Sequence, residues 1–363
     1  MENKYFMYKK IKHWNRQKNH YLRVLKLNIV RIFLDKRPKE PFNPREIKKV
    51  LILRDDNKIG DMVVSSGLFK ALHDSGRYVG VVTGRDNGRI ITKSENVDKQ
   101  YSFVKKTQEI IKLALHIRRE KYDMVFDFGD YISPIYYAFI CLINAKHVLG
   151  FNKSKFKRYN VNIEYPFTDI HITDRYKKAL VLMALPADNY NYVLDVPKDI
   201  RNEVGDFLAI TQGCRLVVVN PFTASVERDM SELQLESIVV KVKSRDANAA
   251  ILIIGPPDRL KDVNIQGVYK SPFKTFLHAV VCVENADLVI SPDTSWVHVA
   301  CAFDRNLIAL YGESIILGGL INNKVWAPNY PKAVQIIAQG QKISSIPVEH
   351  INLEIDRYFD SAL

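Results

Sequence analysis

Residues 286–312, ADLVISPDTSWVHVACAFDRNLIALYG, predict a strand, a loop, a helix and a second strand. The first apolar run stops at Ser291-Pro292-Asp293-Thr294, residues that favour turns and helix N-caps, before helical spacing resumes at Trp296. A helix that starts directly after a strand presents its backbone N–H groups at the carboxyl edge of the sheet. Doubly wound α/β folds bind phosphorylated ligands at that edge, so the stretch predicts such a fold with a phosphate-binding loop.

Four polar side chains of this stretch, Asp293, Thr294, Ser295 and His298, are the candidates to contact the ligand. Taken alone, the segment also fits a plainer interpretation, in which Asp293 is a helix N-cap and His298 is a surface histidine with satisfied hydrogen bonds. A second segment of the chain favours the ligand-binding interpretation.

That second segment is residues 51–67, LILRDDNKIGDMVVSSG. An apolar strand ends in a polar loop, and after Ile59-Gly60-Asp61 a helix is predicted to reach about residue 73. This segment also leads from a strand to a helix at the carboxyl edge of a sheet, and it places Asp61 at the start of the helix.

Together, IGDMVVSSGLFKAL and ISPDTSWVHVACAFDRNLIALYG resemble the ADP-heptose:lipopolysaccharide heptosyltransferases of glycosyltransferase family nine. The hallmarks of that family are a GD pair after the first strand and D-[ST]-G-x-x-H before the final strand. The resemblance spans roughly residues 50–330. Two motifs in the expected order are far more specific than either one alone. The resemblance implies the GT-B fold, in which two Rossmann-like domains face a cleft.

The rest of the chain fits this α/β organisation. Strands and helices alternate from residue 50 to about residue 150, and the alternation resumes after residue 215, as in parallel sheets. We predict an extension and linker at 1–48, an acceptor-binding domain at 49–186, a nucleotide-sugar-binding domain at 187–345, and a C-terminal helix at 346–363 that packs back on the first domain.

The N-terminal extension is strongly basic. Residues 1–40 hold 12 Lys/Arg against three acidic residues, which is +9 of the chain's +13. Helical spacing aligns Leu22, Leu25, Ile29, Ile32 and Phe33, with Trp14 and Tyr21 positioned for a membrane interface. A basic amphipathic helix of this kind can lie on an anionic membrane surface. Apolar residues off that stripe (Val24, Leu27, Val30 and Leu34) leave open a second interpretation, in which the helix packs on the protein body.

Composition restricts the class of protein further. The chain is 47% hydrophobic and 26% charged, as in folded soluble proteins. The four cysteines lack C-x-x-C spacing, and no signal peptide or long apolar run is present. We therefore expect a cytoplasmic protein that is peripheral on the inner face of the cell membrane. No RNA-binding signature or zinc finger accompanies the basic charge, so a nucleic-acid partner is not expected.

Sugar transfer needs a base that deprotonates the acceptor hydroxyl. Asp61 matches the catalytic aspartate of the family, although its plainer role is that of a helix N-cap. Asp55 and Asp56 lie in the same loop and compete for the role, but neither occupies the matching position. Asp61 is therefore the predicted base.

The departing diphosphate needs positive potential, and the resemblance implies where it comes from. Thr223 follows a strand as in the family's phosphate loop, and Arg228 stands near the place of the family lysine, with Glu227 and Asp229 weakening its potential. Asp293, Thr294 and His298 match the second motif, whereas Ser295 replaces the family glycine. The predicted donor site consists of Thr223, Arg228, Asp293, Thr294, Ser295 and His298. No cluster has metal-ligand spacing, so neither a metal nor a cofactor is expected.

The sequence thus predicts an inverting glycosyltransferase that moves heptose from an ADP-heptose-like donor to a lipopolysaccharide core or a lipid-linked saccharide. Because Ser295 and Arg228 depart from the family pattern, one alternative is the same fold and mechanism with another nucleotide sugar. A second alternative is a catalytically silent relative that binds nucleotide or glycolipid.

Overall fold

The computed structural model describes residues 2–316 and 318–361, and the side chains of residues 14, 15, 17–316 and 318–361. Four basic residues of the N-terminal extension lie outside the described side chains: Lys9, Lys10, Lys12 and Arg16. Two compact units are present. The first comprises Met1–Asp56, Ser75–Arg85 and Asp98–Pro166, and the second comprises Asn57–Asp74, Asp86–Val97 and Phe167–Leu363.

The first unit contains a six-stranded parallel sheet in the order β3-β2-β1-β4-β5-β6. The strands are β1 (Lys49–Arg54), β2 (Tyr78–Thr83), β3 (Lys99–Ser102), β4 (Met124–Asp127), β5 (His147–Phe151) and β6 (Val161–Ile163). Its helices are α1 (Glu2–Leu34), α4 (Thr107–Arg119) and α5 (Pro134–Ile143). Helix α3 (Arg85–Ile91) starts at the last residue of a first-unit segment, and the rest of it belongs to the second unit.

The second unit contains another six-stranded parallel sheet, ordered β14-β11-β10-β7-β8-β9. Its strands are β7 (Leu216–Val219), β8 (Ala250–Ile253), β9 (Tyr269–Lys270), β10 (Leu288–Pro292), β11 (Asn306–Tyr311) and β14 (Ala333–Ile337), with the hairpin β12 (Ile315–Ile316) and β13 (Leu320–Ile321). Its helices are α2 (Ile59–Asp74), α6 (Thr173–Leu182), α7 (Lys198–Leu208), α8 (Glu232–Arg245), α9 (Pro257–Leu260), α10 (Phe276–Glu284), α11 (Ser295–Ala302), α12 (Asn322–Val325) and α13 (Val348–Ser361).

Central strands of both sheets are covered on both faces. All four residues of β4, β7 and β8 are buried, as is every residue of β10. Parallel strands of this kind read as short continuous apolar runs rather than as alternating ones. The predicted α/β fold with two parallel sheets and flanking helices is therefore confirmed.

The N-terminal stretch forms α1, a helix of 33 residues. Leu27, Val30 and Leu34 pack on the apolar cluster of the first unit, whereas Ile32 and Phe33 are exposed. Packing on the protein body and an exposed apolar stripe were treated as alternatives at the level of sequence. The two sets of side chains occupy different faces of one helix, so both features are present.

The C-terminal helix was predicted to pack on the first domain, but the structure places α13 in the second unit. Its buried residues Ile351, Ile355 and Phe359 belong to the same apolar cluster as Ile238 and Val242 of α8. Lys241 and Arg245 also form salt bridges with Asp356. The buried residues of α13 recur at helical spacing on one face, but such a pattern carries no information on which helix covers that face.

Within the described residues, no helix has the length and apolar character that crossing a membrane requires.

Candidate functional site

Helix α11 begins where the sequence placed the phosphate-binding loop. Thr294 is the N-cap, and its Oγ1 accepts a hydrogen bond from the backbone N–H of Trp296 at 3.4 Å. The same oxygen lies 3.1 Å from Ser291 Oγ and 3.4 Å from Asn220 Nδ2. Asn220 also donates to Ser291 Oγ at 3.1 Å, so the ends of β7 and β10 are joined beside the helix N-terminus.

Asp293 lies just before this N-cap, and it is not itself the cap as the plainer interpretation had it. Its backbone N–H donates to Leu310 O at 2.9 Å, and its Oδ2 accepts from Asn322 Nδ2 at 2.5 Å. Burial raises the pKa of the Asp293 carboxyl, while the Asn322 hydrogen bond and the charge of Arg228 oppose that rise. The structure thus brings two predicted donor-site residues, Asp293 and Arg228, within electrostatic reach of each other.

His298 is buried, with 4% of its surface exposed, so it is not a surface histidine. Its ring packs edge-on against Tyr192 and Trp326, with centroid distances of 6.1 and 5.9 Å. Burial and the nearby His171 lower the pKa of His298 to about 3. The imidazole is therefore neutral at physiological pH. It packs against neighbouring rings and does not act as a cation.

The two sequence motifs meet at Gly60. A Cβ atom at this position would lie 3.1 Å from His298 Cδ2 and 3.6 Å from Ser295 Cα. Gly60 is the second residue of α2, and Asp61 follows it in the first turn, where its backbone carbonyl accepts from Ser65 Oγ at 2.7 Å. The predicted base therefore lies one residue from the contact between α2 and the N-terminal turn of α11.

A segment after α6 fixes α2 from another side. Tyr190 Oη donates to Val64 O at 2.7 Å and accepts from Leu68 N at 3.0 Å, and Val193 N donates to Ser66 Oγ at 2.8 Å. A Cβ on Gly67 would lie only 2.4 Å from a backbone oxygen of this segment, so the approach requires glycine. This segment follows directly after the predicted domain boundary at residue 186, and nothing in its composition indicated these contacts.

The loop after β7 holds Thr223 and Arg228. The Thr223 hydroxyl donates to Ser225 O at 2.7 Å, so it stabilises the loop itself. Arg228 ends a short 3-10 turn, Val226–Arg228, and is exposed. Of the two, Arg228 has an exposed side chain that can reach a diphosphate. Thr223 contributes only indirectly, by fixing the shape of the loop.

Arg259 of α9 anchors this loop, a role that the sequence did not indicate. Its guanidinium forms an ion pair with Asp229, donates to Thr223 O at 2.9 Å and lies 4.3 Å above the Phe222 ring. Asp229 also accepts from Thr223 N at 2.7 Å. Asp229 was expected to weaken the potential around Arg228, but its charge is already matched by Arg259.

A cavity of about 190 Å³ is lined partly by residues of the same loop. Carboxylates on its wall come from Asp229, Glu232 and Asp262, beside apolar Phe222 and Val263. The carboxylates of Glu232 and Asp262 on this wall repel a diphosphate, so the cavity does not compete with the α11 N-terminus as the place for donor phosphates.

The first unit has its own cluster of charge at the carboxyl edge of its sheet. Buried Lys153 contacts buried Asp127 at 2.8 Å, and Tyr159 Oη donates to the same carboxylate at 2.5 Å. Burial, then the charges of Asp127 and Asp56, raise the pKa of Asp55 to about 6, although a hydrogen bond with Tyr136 opposes the rise. Asp55 was considered from its position in the loop, but its environment could not be read from the sequence.

Among the described residues, no group of three or more His, Cys, Asp or Glu side chains is arranged to hold a metal ion.

Comparison with known proteins supports the motif analysis. Residues 272–338, which include β10, α11 and β11, match the family described as Glycosyltransferase family 9 (heptosyltransferase). Over these residues the chain is similar to glycosyltransferase family 9. The chain is also 26% identical over 354 residues to the E. coli K12 protein named "Putative lipopolysaccharide heptosyltransferase 4", covering 95% of this chain and 97% of that one.

Solved structures share the fold of this chain. The glycosyl transferase family 9 protein from Veillonella parvula has a TM-score of 0.71 at 15% identity, covering 86% of this chain and 97% of that one. E. coli ADP-heptose lps heptosyltransferase II has a TM-score of 0.67 at 15% identity, covering 86% and 99%. An E. coli heptosyltransferase with ADP-2-deoxy-2-fluoro heptose has a TM-score of 0.64 at 16% identity, covering 85% and 99%.

Proposed function

We propose that this enzyme transfers a heptose from ADP-heptose to a sugar of a lipopolysaccharide core, with inversion at the anomeric carbon. The observation that carries the proposal is the packing of Gly60 on Ser295 and His298. It holds the predicted base, Asp61, beside the helix N-terminus that belongs to the predicted donor site. The names of the E. coli relatives support the choice of ADP-heptose and lipopolysaccharide.

In the proposed reaction, the Asp61 carboxylate accepts the proton of an acceptor hydroxyl as its oxygen attacks the anomeric carbon. The bond between that carbon and the diphosphate oxygen breaks on the opposite side, and ADP leaves. Attack from the side opposite the leaving group inverts the anomeric configuration. Placing the base on a helix fixed by Tyr190 and by α11 keeps it in position without reorganisation during the reaction.

Stabilisation of the leaving diphosphate is assigned to two features of the second unit. The backbone N–H groups in the first turn of α11 carry the positive end of the helix dipole. Arg228 adds a full positive charge that can bind two phosphate oxygens at once. We propose that these groups take the place of a divalent metal, so transfer needs neither a metal nor a cofactor.

We also propose that the enzyme binds its acceptor at the inner face of the cell membrane. Residues 1–40 would attach the enzyme to this surface through their basic charge. The net charge of this segment is +9 of the chain's +13. Anionic lipids attract basic segments of this kind at the membrane surface.

A second donor sugar is considered because of Ser295. Its Cα lies 3.6 Å from the Cβ position of Gly60, so its side chain occupies space beside the α2–α11 contact that the family glycine leaves open. That extra bulk favours a donor with a different sugar and the same diphosphate chemistry.

The test is a donor comparison in which ADP-heptose, ADP-glucose, UDP-glucose and GDP-mannose are each incubated with a heptose-deficient core acceptor. Nucleoside diphosphate release is measured with EDTA present, and the product anomer is determined by NMR. Preference for ADP-heptose with an inverted product supports the first proposal. Preference for another donor selects the alternative, and a requirement for added metal contradicts the metal-free part.

A further inference from the structure

Helix α1 is fixed to the first unit along one side. Leu27, Val30 and Leu34 pack on the apolar cluster that includes Phe139 and Ile143 of α5. Polar contacts reinforce this packing, since Arg31 donates to Lys155 O at 3.1 Å and its guanidinium lies 5.5 Å from the Phe156 ring. The second half of α1 is therefore part of the folded unit rather than a free arm.

Asp35, directly after α1, locks the end of the helix. Asp35 is 8% exposed, and its carboxylate accepts from Tyr137 Oη at 2.5 Å, Arg158 N at 2.8 Å and Lys157 N at 3.1 Å. Three hydrogen bonds to one buried carboxylate fix both the position and the rotation of the helix. Whatever binds the outer face of α1 is thus held in a set orientation relative to the first sheet.

The outer face of α1 is apolar and exposed. Ile32, Tyr21 and Phe33 are 77%, 73% and 69% exposed. The other large apolar side chains of this face are also exposed: Trp14, Leu22, Leu25 and Ile29. At about 100° per residue, these positions centre on the side of the helix opposite Leu27, Val30 and Leu34. An apolar stripe of this length on the surface of a monomer marks an interaction site.

Cations border the stripe. Exposed Lys18 and Lys26 lie on α1, Lys36 and Arg37 follow it, and Lys155 and Lys157 come from the neighbouring loop. Lys18 Nζ also lies 5.3 Å from the Trp14 ring, so its charge sits within the apolar face. The only carboxylate between residues 14 and 39 is Asp35, which is buried.

This combination of an apolar face with a predominantly basic border indicates the chemistry of the partner. A second copy of the chain would bring like charges together, whereas an anionic bilayer takes the apolar side chains into its interface and neutralises the lysines. Trp14 and Tyr21 are the aromatic types that favour the interface. We propose that the outer face of α1, defined by Trp14, Tyr21, Leu22, Leu25, Ile29, Ile32 and Phe33, docks flat on an anionic lipid surface. The Asp35 lock then sets the orientation of the first sheet on the membrane.

The docking extends the proposed function, but it is measured without donor or acceptor. The probe is full-length protein with vesicles of phosphatidylglycerol and phosphatidylcholine, compared with phosphatidylcholine alone, by co-sedimentation. We expect the double substitution Ile32→Glu/Phe33→Glu to weaken binding to the anionic vesicles by at least about tenfold. Wild-type binding should also fall when salt is raised or when the anionic lipid is omitted.

The matched control is Val240→Glu/Leu353→Glu, which changes two exposed apolar residues of the second unit. It should bind vesicles like the wild type, and circular dichroism should show that both variants are folded. Unchanged binding in the Ile32/Phe33 variant, or no binding of the wild type, overturns the proposal. So does a wild-type dimer that the Ile32/Phe33 substitution dissociates, since the face would then bind a second copy. ADP release with a detergent-free, truncated acceptor reports separately on transfer activity.

Discussion

Gly60 and His298 touch across the fold, with 3.1 Å between His298 Cδ2 and the place that a Cβ on Gly60 would take. The GD motif and the D-T-S-x-x-H motif thus form one structure, in which the glycine lets α2 approach α11. Close approach rather than backbone conformation favours glycine here, since the backbone of Gly60 is that of an ordinary helix and a Cβ atom would be tightly placed.

The first prediction concerns Gly60→Ala. The added methyl group forces His298 or the start of α2 to move by a few tenths of an ångström, which displaces Asp61 from its reactive position. We expect kcat to fall roughly tenfold, because small misplacements are costly to catalysis. Stability should change by less than about 1 kcal/mol, because alanine favours the helix by a similar amount.

The control for this change is Gly205→Ala in α7, where an added Cβ meets nothing within 4 Å. It should raise stability by about 0.5–1 kcal/mol and leave kcat unchanged. Steady-state kinetics and urea unfolding of both variants make the comparison. Equal kcat values in the two variants would contradict the role given to the Gly60 contact.

The second prediction concerns Arg259→Gln. The substitution removes the partner of Asp229 and a hydrogen bond to Thr223 O, so the loop that carries Arg228 loses its anchor. We expect the KM for the donor to rise about five- to thirtyfold, which corresponds to roughly 1–2 kcal/mol, with kcat little changed. Lys261→Gln breaks the exposed pair with Asp258 and should have no effect. A fall in kcat alone would show that Arg259 acts on the chemical step.

The third prediction concerns the pH dependence of Asp55. Its pKa is raised from 3.8 to about 6, so the folded state binds the proton more tightly than the unfolded state. The resulting stabilisation is complete below pH 3.8 and is lost as pH rises through about 6. Asp55→Asn should therefore be more stable than the wild type by about 1–3 kcal/mol above that range and similar below it.

Urea unfolding at an acidic and a neutral pH measures this difference. Asp206→Asn, an exposed carboxylate on α7, is the matched control and should show no comparable pH-dependent gain. A difference between Asp55→Asn and the wild type that is the same at both pH values would rule out the raised pKa as its cause.

The fourth prediction concerns two histidines that are neutral in the folded state. Burial lowers the pKa of His298 to about 3 and that of His171 to about 4, from 6.5. Below pH 6.5 these histidines bind protons in the unfolded state but remain neutral in the folded state, so stability falls as pH decreases. Each histidine should contribute up to about 1.4 kcal/mol per pH unit. His171→Gln should reduce that slope by one proton, as measured by urea unfolding between neutral and mildly acidic pH. An unchanged slope would contradict the assignment.

Much of the fold was predictable because parallel strands and amphipathic helices leave local patterns. Helix α11 starts at Ser295, one residue before the position where helical spacing was predicted to resume, because Thr294 is the cap. Partners distant in sequence left no such pattern. The ion pair between Asp229 and Arg259, the Tyr190 contacts with α2 and the environment of Asp55 depend on tertiary packing, which periodicity does not report.

The candidate site shows the same division. The motifs named Asp61, Asp293, Thr294, Ser295 and His298, and these residues lie on α2 or at the start of α11. The contact of Gly60 with Ser295 and His298 followed from no local rule. The burial of His298 was also missed, because the local sequence does not show whether a histidine on a helix faces solvent or a neighbouring helix.

The central claim is that Asp61 is the base, and the most direct measurement compares the wild type with Asp61→Asn. ADP release from ADP-heptose with a heptose-deficient acceptor gives kcat, donor titration gives Kd, and thermal unfolding confirms the fold. Asparagine keeps the shape of the side chain but cannot accept the acceptor proton. We predict that kcat falls about 100- to 10,000-fold while the donor Kd stays within about twofold. A variant that retains its kcat, or one whose loss is explained by weaker donor binding alone, would contradict the account.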